Sequence, residues 1–225
     1  MKKKELRDFQ WLKKRDKIPG LEKAFWEMWE YYDLYLRKAE DLPYSSTEMA
    51  LVGNLAMAAA RRGYPAALEF YREGSRKKPL QRADLWVRFS SKQELLVEAK
   101  TDYISVGSGE KTIVGDIRYY FREADRYLER FVKGLKITST KPVRCSSIFF
   151  AQICIAERDY KKPYRKILRE LLRACRNAGK EAASFYAYYF LEDNPNLRKI
   201  LEKYRDPDNY YYPGIVIFGK ILKLK

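Results

Sequence analysis

The chain reads as an α/β protein, because runs with the two-residue period of half-buried strands alternate with runs of helical period. From residue 45 the order is helix, three strands, helix, strand, then a helix and further strands. At 225 residues the length suits one domain with a sizeable core.

Residues 1–42 are rich in charge and aromatics, and Phe25, Met28, Trp29, Tyr32 and Leu36 recur at helical spacing. They read as an N-terminal helical extension to an α/β domain over 43–225. Its apolar face either covers the core or serves a homodimer contact. Pro43 interrupts the pattern, and Ser45-Ser-Thr-Glu48 opens a second helix that runs through Leu51 and Leu55 to Arg62-Gly63, where the glycine suits a C-terminal cap. Residues 66–71 read as a strand. The loop 106–112 has glycines at 107 and 109, but Glu110 separates Gly109 from Lys111, so it is not a phosphate-binding P-loop. A long helix over 116–133 buries Ile117, Tyr120, Phe121, Ala124, Leu128 and Phe131, and Gly134 ends it. A strand is expected within 143–156, a helix over 164–178, a strand over 182–191, a short helix over 196–204 and a last strand at 215–218.

Between residues 84 and 100 the pattern is a hairpin. Leu85, Val87 and Phe89 alternate with Asp84, Trp86 and Arg88, while Leu95, Val97 and Ala99 alternate with Leu96, Glu98 and Lys100. Residues opposite one another in an antiparallel pair point to the same face. Placing both apolar sets in one core therefore brings Asp84, Glu98 and Lys100 together on the other face. The expected register has an odd-residue loop centred on Ser91 or Lys92, which sets Asp84 across from Glu98 or from Lys100. Two carboxylates and an ammonium can then converge on one ion. A second acid-x-Lys triplet, Asp159-Tyr-Lys161, lies in a polar stretch without such a partner and reads as a decoy.

Composition narrows the chemistry. Lys and Arg number 46 against 30 acids, a net charge of +16, so an anionic partner such as nucleic acid is expected. Histidine is absent, which removes Ser-His and Cys-His nucleophiles and histidine-ligated zinc, and leaves carboxylate oxygens as the main metal ligands. Cys145, Cys154 and Cys175 have no Cys-x-x-Cys spacing and sit in or beside apolar runs, as buried thiols of a reducing compartment do. The opening Met-Lys-Lys-Lys is followed by Glu5, Arg7 and Asp8 rather than an apolar stretch, and the longest apolar run, 148–156, is too short to span a bilayer. A cytoplasmic protein with no membrane partner is expected.

Residues 45–156 resemble the PD-(D/E)xK nuclease superfamily, the restriction-endonuclease-like fold with an α-β-β-β-α-β core. Asp84 matches the lone aspartate, Glu98 the acidic position, Ala99 the intervening residue and Lys100 the lysine. Ala83 stands where many members have proline, and the Gln-x-x-x-Tyr of one exonuclease branch is missing. The resemblance implies a Mg²⁺-dependent nuclease, Mn²⁺ substituting, that hydrolyses phosphodiester bonds, with double-stranded DNA as the leading substrate and endonuclease action as the leading mode. The alternative is an inactive nuclease-fold protein that binds nucleic acid or supports an assembly. Asp84 and Glu98 are the implied metal ligands, the Ala99 carbonyl a third, and Lys100 the residue that activates water or neutralises phosphate charge. Many members add a carboxylate from the first helix, for which Glu48 is the candidate, although Ser45-x-x-Glu48 also reads as a capping box. Glu69 is a weaker rival.

Arg76, Lys77 and Lys78, just before the Asp84 strand, form a basic cluster placed to meet backbone phosphates. Arg118, Arg122, Arg126 and Arg130 recur every four residues among acids and read as a solvated helix face. Gln152 inside its apolar strand reads as a satisfied buried amide, and the tyrosine-rich tracts 186–190 and 210–212 as packing.

Overall fold

The computed structural model describes residues 6–39, 41–44, 47–71, 82–134, 143–156, 159, 164–191, 199, 201–203, 205 and 210–222. Arg76, Lys77, Lys78, Ser45 and most of the short helix expected at 196–204 lie outside them. The elements are β1 (Arg7–Trp11), α1 (Leu21–Ala39), α2 (Glu48–Arg61), β2 (Ala66–Tyr71), β3 (Arg82–Ser90), β4 (Gln93–Ser105), α3 (Glu110–Gly134), β5 (Val143–Ala156), α4 (Tyr164–Ala182), β6 (Phe185–Phe190) and β7 (Tyr210–Leu222).

The strands form one seven-stranded sheet in the order β1-β6-β7-β5-β4-β3-β2. Every neighbouring pair is antiparallel except β4 and β5, which run parallel. A parallel pair needs a crossover, and α3 supplies it. The stretch from α2 to β5 therefore reads α-β-β-β-α-β, with β2, β3 and β4 a meander.

Strand alternation divides the core between the two faces of the sheet. Leu85, Val87, Leu95, Val97, Ala99, Ile148, Phe150 and Ile217 pack with α1 and α2 through Phe25, Trp29, Leu51 and Leu55. Phe149, Ala151, Ile153, Val216 and Phe218 pack with α3 and α4 through Ile117, Phe121, Leu168 and Leu171. A smaller cluster joins Leu96 and Cys145 to Leu128 and Phe131 near the end of α3. The three cysteines are buried and unbridged. Among the described residues no helix is long and apolar enough to cross a membrane.

The N-terminal stretch covers the core. Phe25, Met28, Trp29 and Tyr32 of α1 are wholly buried, and Phe25 meets Phe9, Trp29 and Phe185 at ring separations of 5.3, 5.9 and 5.7 Å. Phe25→Ala is expected to cost about 3–5 kcal/mol, measurable as a lower urea midpoint at unchanged m value. Where the periodicity predicts helix alone, the structure also has β1, pairing Phe9 with Ala187 and Trp11 with Phe185 on β6. Its alternation is confined to 5 residues, too few to stand out beside a strong helical pattern.

Two other expectations need correction. The helix expected from residue 116 begins at Glu110, because Ile113 and Val114 are buried along with Ile117 and Gly115 is absorbed into the helix. The hairpin register follows Leu85–Val97, Trp86–Leu96 and Val87–Leu95, which is the alternative centred on Ser91. Near the tip it shifts to Ser90–Gln93 through an irregularity between Arg88 and Ser90. A bulge and a tight turn at Ser91-Lys92 thus replace the odd-residue loop.

Candidate functional site

The site lies where β3 and β4 part. Their backbone pairing ends at Leu85–Val97, while β4 continues to Ser105. Just beyond that last pair, the Ala99 amide donates to Asp84 Oδ2 at 2.8 Å. A carboxylate thus stands in place of a main-chain acceptor between the two strands. Asp84 is 7 % exposed and Glu98 5 %, unusually buried for acids.

Lys100 closes the group. Its ammonium donates to Glu98 Oε1 at 2.8 Å and to the Ala99 carbonyl at 2.6 Å. Glu48 Oε1 lies 3.7 Å from the same nitrogen. The structure thus brings Asp84, Glu98, Ala99, Lys100 and Glu48 together. Glu48 is the first residue of α2, with Thr47 as N-cap making no side-chain cap bond. The capping-box reading of Glu48 fails, since a capping box needs the glutamate at the third helical position. Glu69 goes elsewhere, pairing with Arg82.

Glu98 Oε2 is buried with no hydrogen-bond partner. An orphan carboxylate oxygen is costly, and the pKa reflects it. Burial, and after it the neighbouring Asp84 charge, push the Glu98 carboxyl up to about 7. Glu48 is also raised, by burial first and by Asp84, with Lys100 opposing. At Lys100 burial works against the ammonium, but Glu98, Glu48 and Asp84 outweigh it and hold the pKa above the ordinary lysine value.

This carries a pH signature. The folded chain keeps a proton on Glu98 that the unfolded chain releases near 4.5, so folding stability falls as pH rises from 4.5 to about 7. The effect is on the order of 3 kcal/mol. Denaturant unfolding in EDTA should show this fall in the wild type and a flatter profile in Glu98→Gln over the same window.

The chemistry of the donors fits a hard cation. Asp84, Glu98 and the Ala99 carbonyl offer only oxygen, the ligand type of Mg²⁺. Glu98 Oε2 lacks a partner, and the position beside Glu98 Oε1 and the Ala99 carbonyl already holds a positive charge, that of Lys100. Among the described residues no three acidic or cysteine side chains meet closely enough to hold a metal by side chains alone. The fitting set is two carboxylates and a main-chain oxygen, with Glu48 across the Lys100 ammonium.

A polar row that the sequence reading missed backs Glu98. Glu98 pairs with Ser147 on β5, and Ser147 with Lys220 on β7. Ser147 donates to Asp125 Oδ1 at 2.5 Å and Lys220 to Asp125 Oδ2 at 2.6 Å. The available signal was Ser146-Ser147, a polar pair at the head of an apolar strand. Other features match their plain readings. Arg118 and Arg126 pair with Glu181 and Glu123, Gln152 is 6 % exposed, and Asp159 lies away from the fork, beside Glu170 and Ser108.

Comparison with protein-family models, curated proteins and solved structures finds no match for this chain.

Proposed function

We propose that this chain is a Mg²⁺-dependent nuclease that hydrolyses phosphodiester bonds, with DNA endonuclease activity as the leading form. The observation that carries the proposal is the convergence of Asp84, Glu98 and Lys100 at the β3–β4 fork, with Lys100 on both Glu98 and the Ala99 carbonyl. Two further features support it: the α-β-β-β-α-β order with a parallel β4–β5 pair, as in the restriction-endonuclease-like core, and the net charge of +16.

In this reading Asp84, Glu98 and the Ala99 carbonyl hold the ion, and Glu48 contributes from the α2 terminus. When bound, Mg²⁺ supplies Lewis acidity toward a phosphate oxygen and a water of lowered pKa. Lys100 is held charged by three acids. It therefore acts as a donor that neutralises charge growing on the phosphorane-like transition state, rather than as a base. The Asp84–Ala99 hydrogen bond fixes the spacing of the two strands that carry these groups.

A second reading has its own support. The Lys100 ammonium already occupies Glu98 Oε1 and the Ala99 carbonyl, as it would in a nuclease fold retained for binding alone. Incubation with plasmid, linear DNA, single strands and RNA, in Mg²⁺, Mn²⁺ or EDTA, separates the two. Metal-dependent cutting that fails in Lys100→Ala supports the enzyme. Salt-sensitive binding without cutting supports the alternative.

A further inference from the structure

A polar concavity lies toward the β1–β6 end of the sheet. Between α4 and the β6–β1 edge is a cavity of about 330 Å³ lined by Arg173, Arg176, Lys180, Asn177, Gln10 and Tyr188, among others. The strand order puts β6 three spacings from β4, about 14 Å, so this cavity is separate from the carboxylate fork.

Its lining gathers three cations on one helix. Arg173, Arg176 and Lys180 follow one another at intervals of three and four, so their side chains crowd one face of α4. Neighbouring like charges destabilise a helix unless something neutralises them. Of the two acids on α4, Glu181 is taken by Arg118 and Glu170 lines a different cavity with Ser108. Among the described residues none of the three is engaged in an ion pair. Among the described residues no acid lines the cavity itself, and the nearest carboxylates, Asp8 and Glu110, stand behind it on the Gln10 and Asn177 amides.

The remaining lining is suited to a ring. Tyr188 packs at a tilt between Tyr186 and Phe190 at centroid distances of 5.6 and 6.0 Å, which steadies its own ring. The Asn177 amide nitrogen is held by Glu110 and that of Gln10 by Asp8. Each of these bonds fixes an amide and leaves its carbonyl oxygen as an acceptor. The volume is that of a small-molecule site rather than a groove that tracks a polymer.

We propose that this cavity binds a mononucleotide-sized organic phosphate, with Arg173, Arg176 and Lys180 on the phosphate, Tyr188 against the base, and Asn177 and Gln10 accepting from its amino group. Arg fits phosphate as a planar fork, and Lys as a point charge. The site is independent of the nuclease reading.

The test is calorimetric titration of the full chain with adenosine monophosphate and with inorganic phosphate, in EDTA to keep the carboxylate fork out of the measurement. Saturable binding of adenosine monophosphate is expected, tighter than that of phosphate. Arg173→Ala with Arg176→Ala should weaken it by about tenfold or more. Tyr188→Leu should weaken adenosine monophosphate but leave phosphate within about twofold. Glu98→Gln should change neither. Arg173 and Arg176 are exposed, so the paired variant keeps its fold and its melting temperature verifies this. Absence of saturable binding, or insensitivity to the arginine pair, overturns the proposal. So does a single-stranded oligonucleotide that binds more tightly with the same arginine dependence, which would make the surface a strand contact.

Discussion

Glu98→Gln is expected to lower Mg²⁺-dependent cleavage by about a thousandfold or more while leaving the chain folded. Such a loss equals about 4 kcal/mol of barrier, the scale of charge stabilisation that a bound ion supplies. The substitution is nearly isosteric and removes the charge from a site where the carboxyl oxygen Oε2 is already without a partner. Folding should therefore survive, and above pH 7 should improve, because the burial that pushes Glu98 up to about 7 no longer opposes an ionised group. Asp84→Ala should cost as much activity but also some stability, since it orphans the Ala99 amide. Lys100→Ala should abolish cleavage too, and it leaves Glu98 and the Ala99 carbonyl without their donor. Single-turnover rates beside denaturation midpoints separate these contributions.

Gly219→Ala is expected to destabilise the fold more than a methyl added at Gly214 or Gly20, the next most crowded of the described glycines. Gly219 pairs with Phe185 across β7 and β6, and a Cβ there would lie 1.9 Å from Phe185 Cζ and 2.0 Å from Cε1, deep within van der Waals contact. The ring cannot retreat easily. It is wholly buried and packs against Phe9, Trp11 and Phe25 at 5.3, 5.6 and 5.7 Å. Overpacking of this kind costs about 3 kcal/mol or more, and the damage should spread to β1 because its Trp11 pairs with Phe185. Adding Phe185→Ala should recover part of the loss, so the two substitutions are non-additive in a double-mutant cycle. Additive losses would mean that the ring does not cover the glycine.

Residues 66–71 form a strand with the bounds that their pattern predicts, and the strand expected within 143–156 fills that whole stretch. The first follows Gly63 and Pro65 and ends in Phe70-Tyr71, and the second carries Ile148, Phe149, Phe150, Ile153 and Ile155. The same-face placement of Asp84, Glu98 and Lys100 was legible for a related reason. Alternation on two adjoining strands leaves few registers that bury both apolar sets. What periodicity did not show depends on tertiary pairing. The strand β1 exists because β6 offers an edge to it. The bulge near Ser90 depends on turn geometry that Ser-Ser-Lys-Gln does not announce. The Asp125–Ser147–Lys220 row joins residues far apart in sequence, so only the folded register reveals it. Glu48 shows a local motif misleading in detail. Its capping-box spacing is present, but the helix starts at Glu48 itself, which leaves the carboxylate to Lys100 and to the Thr101 backbone.

If the chain is the proposed nuclease, Asp84 and Glu98 share a divalent cation at the β3–β4 fork. Mn²⁺ serves as a paramagnetic stand-in for Mg²⁺, and electron paramagnetic resonance of the full chain titrated with it counts bound ions directly. Saturable binding is expected in the wild type and its loss in the Asp84→Asn, Glu98→Gln double variant, with Mg²⁺ displacing the bound Mn²⁺. A wild-type chain that binds no Mn²⁺, or a double variant that binds it equally well, would contradict the claim.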